Sequence, residues 1–469
     1  MQVRSLNQVK QAAHDLLAYY SLVKKIAAAI AQHNGTSFLV GGAVRDLILN
    51  LPVADLDIEV HGLSLNALES ILRIYGIVNQ VGKSFGVLRL ERLDVDWSIP
   101  RVDTAGRRPV VKVDPYMTLK KAFERRDLTM NSMGINLTTF ELVDPFNGFD
   151  DMKAGILRTP NPTFFIEDPL RFYRVMAFIA RFNMWPDRLL NRVCSTMDIS
   201  TVSHERVETE YKKWLVKSDK PSRALVWLDM IGRLEELLPE IAATKAILQE
   251  PDWHPEGNVF EHTKQSIDAA ALLHYESEEK KIVIMYAILC HDLGKVVTTK
   301  LRDGRLTAYD HPNHGIAFTK KLLKRVTHNK KFIIGVCKLV ETHLYPVSFI
   351  QGHARLNAYK RLALKLAPEV TMAMLAQVSL ADKRGRNEKR TKPLTSAQPD
   401  VEAFLKNAQA AGVLTMVEKP LLTGKDLMPE IQPGPCMGVL VKQAYALQLQ
   451  EGINDKETLK KILLKNYNK

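Results

Sequence analysis

Cysteine is scarce in this chain: Cys194, Cys290, Cys337 and Cys436 are widely spaced and form no C-x-x-C pair. A zinc ribbon or a disulfide framework is excluded on that count, and the usage fits a reducing cytoplasm. Long apolar runs are missing too. The longest, Ile282 to Cys290, is too short for a bilayer, and the N-terminus lacks the layout of a signal peptide. A cytoplasmic protein with no membrane association is expected. There is no internal repeat, and nothing in the sequence implies an obligate protein partner.

What is present is an ordinary soluble composition, 46% hydrophobic and 25% charged, so folding needs no special device. A length of 469 residues exceeds one core and implies two to four domains. Basic residues outnumber acidic ones by 65 to 52, a net charge of +13. Such an excess favours a polyanionic partner, most commonly nucleic acid.

The most informative stretch is Ser37 to Val60, SFLVGGAVRDLILNLPVADLDIEV. It predicts a short strand (Phe38, Leu39, Val40), a Gly41-Gly42 turn, a helix opening over Ala43 to Asp46, and a second strand carrying Asp55 and Asp57. Residues two apart on a strand share a face, so the two carboxylates are expected side by side, with Leu56 and Ile58 turned to a core. Paired carboxylates repel and are kept mainly to hold a divalent cation. Mg²⁺ takes one or two of them together with substrate phosphates. The glycine turn offers backbone N–H groups to a phosphate. Upstream, residues 7–33 carry apolar side chains at helical spacing and predict one amphipathic helix. Downstream, 64–75 reads as a helix, and Val87–Leu90 and Leu93–Ile99 as strands. Asp94 and Asp96 fall on one face of the latter, and periodicity alone does not choose between them as a third carboxylate. Arg101–Thr118 reads as an irregular loop.

The ordered set G-G-A-V-R-D, then D-L-D nine residues later, resembles the nucleotidyltransferases that build the CCA end of tRNA and their relatives, the bacterial poly(A) polymerases. Gly82-Lys83-Ser84-Phe85-Gly86-Val87 looks more like the CCA-adding branch, and Arg125-Arg126-Asp127-Leu128-Thr129-Met130-Asn131 matches the family's R-R-D-h-T-h-N motif. The resemblance implies tRNA, CTP and ATP as partners and two Mg²⁺ held by Asp55, Asp57 and Asp96, which it favours over Asp94. It also implies that Gly41, Gly42 and Arg45 position a triphosphate, with Arg126, Asp127 and Asn131 on phosphate or ribose. Alone, those last three residue types suit such oxygens because arginine supplies planar donors that Asp and Asn can orient.

Glu167-Asp168-Pro169-Leu170-Arg171 opens a predicted helix with Pro169 first and Asp168 as N-cap. Asp168 and Arg171 lie three apart and so neighbour each other on one helical face. Cytosine and adenine both pair an exocyclic amino donor with an unprotonated ring nitrogen, whereas uracil and guanine reverse the pattern. An Asp acceptor beside an Arg donor therefore admits C and A and leaves unpaired groups against U and G. E-D-x-x-R is the family's nucleotide-reading motif, which places that role on Asp168 and Arg171, with Arg174 one turn on. His204–Glu210 resembles the helix that buttresses it.

The second half reads as helical and is rich in histidine. Trp253–His262 (W-H-P-E-G-N-V-F-E-H), His291–Lys295 (H-D-L-G-K), His311, His314, His343 and Ala381–Arg386 (A-D-K-R-G-R) occur in order. Imidazole and carboxylate suit a transition metal that activates water. This order resembles the HD phosphohydrolase superfamily, in the version fused to CCA-adding enzymes. The resemblance implies His262, His291, Asp292 and Asp382 as ligands of a second divalent transition metal, and His314 and His343 as holders of a further metal or a phosphate. Phosphomonoesters or 2′,3′-cyclic phosphates are the implied substrates. The expected architecture is α+β: a mixed-sheet, polymerase-β-like nucleotidyltransferase head (1–145), an all-α neck (146–218), an HD-type helical body (219–390) and a helical tRNA-binding tail (391–469), with a linker over Asn387–Asp400.

Overall fold

The computed structural model describes residues 2–81, 86–103, 111–388, 393–428 and 430–467. The glycine-flanked stretch 82–85, the centre of the predicted loop, 104–110, and part of the predicted linker, 389–392, lie outside the described residues. The chain forms two compact units, Met1–Arg206 and Val207–Lys469.

The first unit holds a seven-stranded sheet. Its strands are β1 (Thr36–Val40), β2 (Leu56–His61), β3 (Val78–Val81), β4 (Val87–Leu90), β5 (Val95–Ser98), β6 (Gly134–Asn136) and β7 (Leu142–Val143), in the order β3-β4-β5-β2-β1-β6-β7. Only β2 and β5 run parallel; the other neighbours are antiparallel. This is the expected mixed sheet. Leu39, Ile58, Val60, Leu88 and Trp97 supply its buried apolar side chains. Trp97 is fully enclosed and lies in register between Ile58 on one side and Leu88 on the other.

Three local expectations are corrected. The N-terminal segment is two helices, Leu6–Tyr19 and Ser21–Gln32, with Tyr20 outside helical geometry. The buried positions explain the break: Val9, Ala13 and Leu17 keep a four-residue step, then the next is Val23. That phase jump would turn a continuous helix away from its core, and a break restores both faces. Second, Asp55 precedes its strand. β2 begins at Leu56, because β1 pairs only as far as Asp57 and β5 only as far as Leu56, leaving position 55 without a ladder partner. Third, the flanks of the predicted loop, Arg101–Asp103 and Val111–Val113, pair as an antiparallel hairpin.

The R-R-D segment runs into a single 3₁₀ turn, Thr129–Asn131, packed on the helix Gly148–Ala154. Asp144 accepts hydrogen bonds from the backbone N–H groups of Gly148 and Phe149 and starts that helix. The helix Leu170–Phe182 is buried around much of its circumference, from Phe172 to Phe182. It starts one residue later than expected, with Pro169 at the cap position.

Among its described residues the second unit is mainly helical, with a small hairpin, Lys300–Arg302 with Arg305–Thr307, turned by Asp303 and Gly304 at positive φ. Val259–Ala271, Glu278–Cys290, His311–Val326, Lys330–Thr342 and Met372–Arg384 pack together. The apolar segment Lys330–Gln351 belongs to this packing, with Val336, Leu339 and Val340 buried inside it. Leu422, Leu427, Leu440, Leu459 and Leu463 form a separate core for the C-terminal helices.

A Cβ at Gly148 would lie 2.2 Å from the Thr129 carbonyl oxygen, a backbone contact that no rotamer change relieves. Gly148→Ala is therefore expected to destabilise the first unit by about 1–3 kcal/mol, read as a lower denaturant midpoint.

Candidate functional site

The sheet brings two of the expected carboxylates into register. Asp57 on β2 and Asp96 on the parallel strand β5 are direct Cα partners, and their neighbours Leu56, Ile58, Val95 and Trp97 all face the interior. Asp94 precedes β5 and is largely exposed. Arg89, opposite Asp96 on β4, donates to it from Nε at 2.6 Å and lies 3.4 Å from Asp94. The Asp57 carboxyl is pushed above the usual range by withdrawal from solvent and by the carboxylates of Asp96 and Asp55, against the opposing pull of Arg126 and Arg89. Withdrawal from solvent is the largest of these influences, and Arg126 outweighs either acidic neighbour taken singly.

The Gly41-Gly42 turn borders this group. Gly41 has φ +70, and a Cβ there would come within 2.9 Å of the Arg126 guanidinium and 3.8 Å of the Asp57 carboxylate. Only glycine leaves that space open. Arg126 lies 3.6 Å from buried Glu59. Burial alone would raise the Glu59 carboxyl, but the hydrogen bond from His61 and the charge of Arg126 hold it below the usual range.

Arg45, expected at a triphosphate, lies beside Gly42 and bonds to protein groups. It is 6% exposed, donates to Asp46 at 2.8 Å and to Asn131 Oδ1 at 3.0 Å, and lies over the ring of Phe182. Asn131 in turn donates to Asp127 at 2.9 Å, and Asp127 pairs with Arg174, also at 2.9 Å. Four of the expected nucleotide-binding residues therefore join Asp46 in one chain of bonds, Asp46-Arg45-Asn131-Asp127-Arg174. At the reading motif, Asp168 faces Arg206 at 3.1 Å, and Arg171 donates to the carbonyls of Phe164 and Arg125. The capping bond from Leu170 N–H to Asp168 is long, 3.3 Å.

In the second unit, four imidazoles and two carboxylates converge in the interior. His262, His291, His311 and His343 are at most 7% exposed, and Asp292 and Asp382 at most 4%. His291, His311 and His343 each direct Nδ1 at a carbonyl three residues earlier, those of Ile288, Ala308 and Val340, at 2.7, 2.8 and 2.7 Å. A carbonyl can only accept, so each Nδ1 carries the hydrogen and each Nε2 presents a lone pair. His291 and His343 directly follow helices, where unpaired terminal carbonyls are available. The inward Nε2 atoms of His311 and His343 stand 3.4 Å apart, and those of His262 and His291 3.2 Å. Asp382 is 3.0 Å from His262, and Asp292 is 3.1 Å from His311 and 3.3 Å from His291. Two clusters result, His262/His291/Asp382 and Asp292/His311/His343, each with the ligand atoms of a metal site.

His314 is corrected. Its side chain is half exposed and its Nδ1 is held by the Asp310 carbonyl at 3.0 Å, whereas His311, one turn earlier, takes the interior place. Asp310, at φ 59, turns the chain just before the helix so that its first residue points inward. The sequence alone does not single out Glu256, Lys295 or Arg386. Glu256 is fully buried and accepts from both His254 Nδ1 and His262 Nδ1, at 2.9 and 2.7 Å. Lys295 contacts Asp292 at 2.7 Å, and Arg386 contacts Asp382 at 3.1 Å. All three belong to motifs visible in the sequence, so their proximity in the chain to the ligands is the signal that could have found them. The Asp292 and Asp382 carboxyls, despite burial, are held far below the usual range, by His291 and Lys295 in one case and by Arg386 and His262 in the other.

Residues 37–158 match the Poly A polymerase head domain family. The chain is similar to the multifunctional CCA protein of Pasteurella multocida, 31% identical over 362 residues, covering 74% of this chain and 84% of that one. It is likewise similar to the multifunctional CCA protein of Xylella fastidiosa, 32% identical over 366 residues, covering 75% and 84%. Among solved structures, the fold is similar to the CCA-adding enzyme of Thermotoga maritima complexed with tRNA (TM-score 0.59, 19% identity, all of both chains). It also resembles that of Bacillus stearothermophilus in complex with CTP (TM-score 0.65, 18% identity, 95% and 97% covered).

Burial pushes the His343 imidazole down to about 3 and that of His254 down to about 4, while bonds from His254 and His262 hold Glu256 at about 2 in spite of its burial. At His343 and His254 the unfolded chain therefore binds more protons than the folded one once pH falls below the free histidine value near 6.5, a destabilisation that His262, held despite burial above its usual value by Asp382 and Glu256, opposes in part. At pH 5 each of the two histidines is expected to withdraw about 2 kcal/mol. Urea titration of the full chain at pH 7.5, 6 and 5 should show the midpoint falling at each step.

Proposed function

Because this chain belongs to the family of multifunctional CCA proteins and is a nucleotidyltransferase, we propose that its head adds CMP and AMP, from CTP and ATP, to the 3′ end of tRNA. We propose also that its helical body houses a separate centre for phosphoester hydrolysis. The observation that carries the first reading is the register that sets Asp57 beside Asp96 at the glycine turn. Adjacent carboxylates, one of them withdrawn from solvent, fit Mg²⁺, which prefers hard oxygen donors, and Asp55, Asp57 and Asp96 would hold it. Once bound, it would lower the pKa of the attacking 3′-hydroxyl and offset charge on the departing pyrophosphate.

The protein's own groups do the remaining work. In the reaction the RNA 3′-oxygen bonds to the α-phosphorus, the bond to the β-phosphate breaks, and the hydroxyl proton passes to solvent. Arg126, at the mouth of the Gly41 turn, offers donors to the triphosphate. The chain from Asp46 to Arg174 holds the floor rigid, so Arg45, Asp127 and Asn131 position the neighbouring groups from below. Asp168 accepts the exocyclic amino group of C or A, with Arg206 fixing its orientation, and Arg171 exchanges a carbonyl for the ring nitrogen. The positive charge of the chain favours the tRNA backbone.

For the second centre, the carrying observation is the pair of facing imidazole lone pairs, which repel unless a cation lies between them. The donor set fits a transition metal, held by His262, His291, Asp292 and Asp382, with His311 and His343 for a second ion or a phosphate. Such an ion would make water acidic enough to attack phosphorus at neutral pH. Glu256 fixes His262 from outside through Nδ1. Phosphomonoesters and 2′,3′-cyclic phosphates of damaged tRNA ends are the proposed substrates, and the cytoplasm is the proposed compartment.

Labelled CTP and ATP, offered with tRNA lacking its terminal CCA, should yield two CMP and one AMP per acceptor. Long tails from ATP alone would instead assign a poly(A) polymerase. Asp57→Asn should slow incorporation roughly a thousandfold, and Arg171→Ala should relax discrimination against UTP and GTP by roughly 10–100-fold. Asp292→Asn should remove phosphoester hydrolysis while nucleotide addition continues.

A further inference from the structure

Next to the His/Asp cluster lies an open cavity of about 270 Å³. Its lining includes Gln249, Trp253, Lys295, Leu306, His311 and Arg386. His311 belongs to the cluster itself, so the cavity leads directly to it. The volume lies just under the roughly 300–1,000 Å³ typical of small-molecule sites, which suits part of a single nucleotide rather than a folded RNA surface.

The polar wall is arranged in an informative way. Lys295 Nζ has three hydrogens and three neighbours: Asp292 at 2.7 Å, Gln249 Oε1 at 2.7 Å and His254 Nε2 at 3.5 Å. Its donors are committed, so it acts on Gln249 rather than on a ligand. Because an ammonium can only donate, it fixes the carboxamide with oxygen toward Lys295 and Nε2 turned away. That Nε2 is buried, on a side chain only 7% exposed overall, and has no hydrogen-bond partner among the described residues. The Nε of Arg386 is likewise buried and unpartnered, while its Nη2 holds Asp382. Two donors without acceptors, beside a cluster built for phosphorus chemistry, call for a ligand with oxygen acceptors; burying them unpaired costs free energy that a ligand would recover.

The other wall is apolar. Trp253 is 64% exposed at the mouth of the cavity, a large aromatic face left to solvent. Leu306 faces the same space from the hairpin Lys300–Thr307, which is tied down by the bond from Leu306 N–H to Glu250 Oε2 at 2.9 Å. An indole at the entrance and unpaired donors within match the two halves of a nucleotide: a flat base that stacks on any aromatic ring, and a phosphate or ribose oxygen further in.

We propose that this cavity is a nucleoside-phosphate subsite, with Trp253 as the platform for the terminal base and Gln249 Nε2 and Arg386 Nε as donors to the ribose phosphate. It rests on the phosphohydrolase reading, whose substrate it specifies as base-bearing. Trp253 is then a specificity residue, and Lys295 a positioning residue that acts through Gln249.

The test uses the full chain, stripped of metal by chelation, and titration calorimetry with three probes: adenosine 3′-monophosphate, ribose 5-phosphate, and a short RNA ending in a 3′-phosphate. The wild type should prefer the nucleotide over the base-less sugar phosphate. Trp253→Ala should weaken nucleotide binding roughly five- to a hundredfold and erase the preference, while Trp253→Phe keeps it. Gln249→Leu should weaken both small probes. An unchanged thermal unfolding midpoint in each variant excludes misfolding as the cause. Tighter binding of the RNA than of the mononucleotide assigns an RNA terminus as the source, and the reverse assigns a free nucleotide. No preference in the wild type, or a preference that survives Trp253→Ala, overturns the subsite. Hydrolysis is assayed separately with Mn²⁺, Co²⁺ and Ni²⁺. A Trp253-dependent preference without any hydrolysis discards the phosphohydrolase reading and keeps the subsite; hydrolysis without a preference does the opposite.

Discussion

Both centres depend on charge and lone pairs gathered against their own repulsion. In the head, parallel pairing sets one carboxylate beside another across neighbouring strands, with Arg126 and Arg89 opposing their repulsion. In the helical body, imidazole nitrogens face each other at 3.2 and 3.4 Å with two acidic groups beside them. Neither arrangement would be chosen for stability, since like groups in contact and buried ions work against folding. Each persists because the surrounding elements over-determine it: a ladder of backbone bonds in one case, a packed set of helices in the other.

The two solutions differ in where precision comes from. In the head, position follows from strand register, and the arginine-rich segments nearby bond to one another and to backbone carbonyls. Arg45, Arg171 and Arg174 are all engaged within the protein, which makes them a pre-formed frame more than a set of free hands. In the body, precision comes from tautomers. Three histidines are aimed by the same local device, Nδ1 to the carbonyl three residues back, so that a donor is spent outward and an acceptor is left inward. The outer groups Glu256, Lys295 and Arg386 then hold the fourth histidine and the two carboxylates.

Much of this was legible in the chain because the informative motifs are local. The alternation around Asp57, the glycine turn and the apolar strand before it all predict two strands of the sheet, and the H-D pair at the end of an apolar run predicts a histidine at a helix end. Where reading by residue falls short, the reason is a partner distant in sequence. Asp55 looks like part of a strand until the extents of β1 and β5 are known. His311 and His314 are equivalent by spacing, and only the left-handed turn at Asp310 separates them. Arg45 lies in a motif associated with phosphate, yet its nearest acceptors are Asp46 and Asn131, the latter 86 positions away. The phase jump between Leu17 and Val23 was visible in the apolar pattern, but its meaning as a break depended on which face each half would bury.

The tryptophan enclosed between Ile58 and Leu88 has an effect that reaches beyond packing. Because side chains on a strand alternate, sliding β5 by a single position would drive an acidic group into the oily interior and eject the indole into water. The bulkiest ring in the sheet therefore serves as a ratchet pawl, permitting one alignment of the neighbouring strand and no other. The alignment that sets Asp57 beside Asp96 is in this way held by a residue enclosed in the interior.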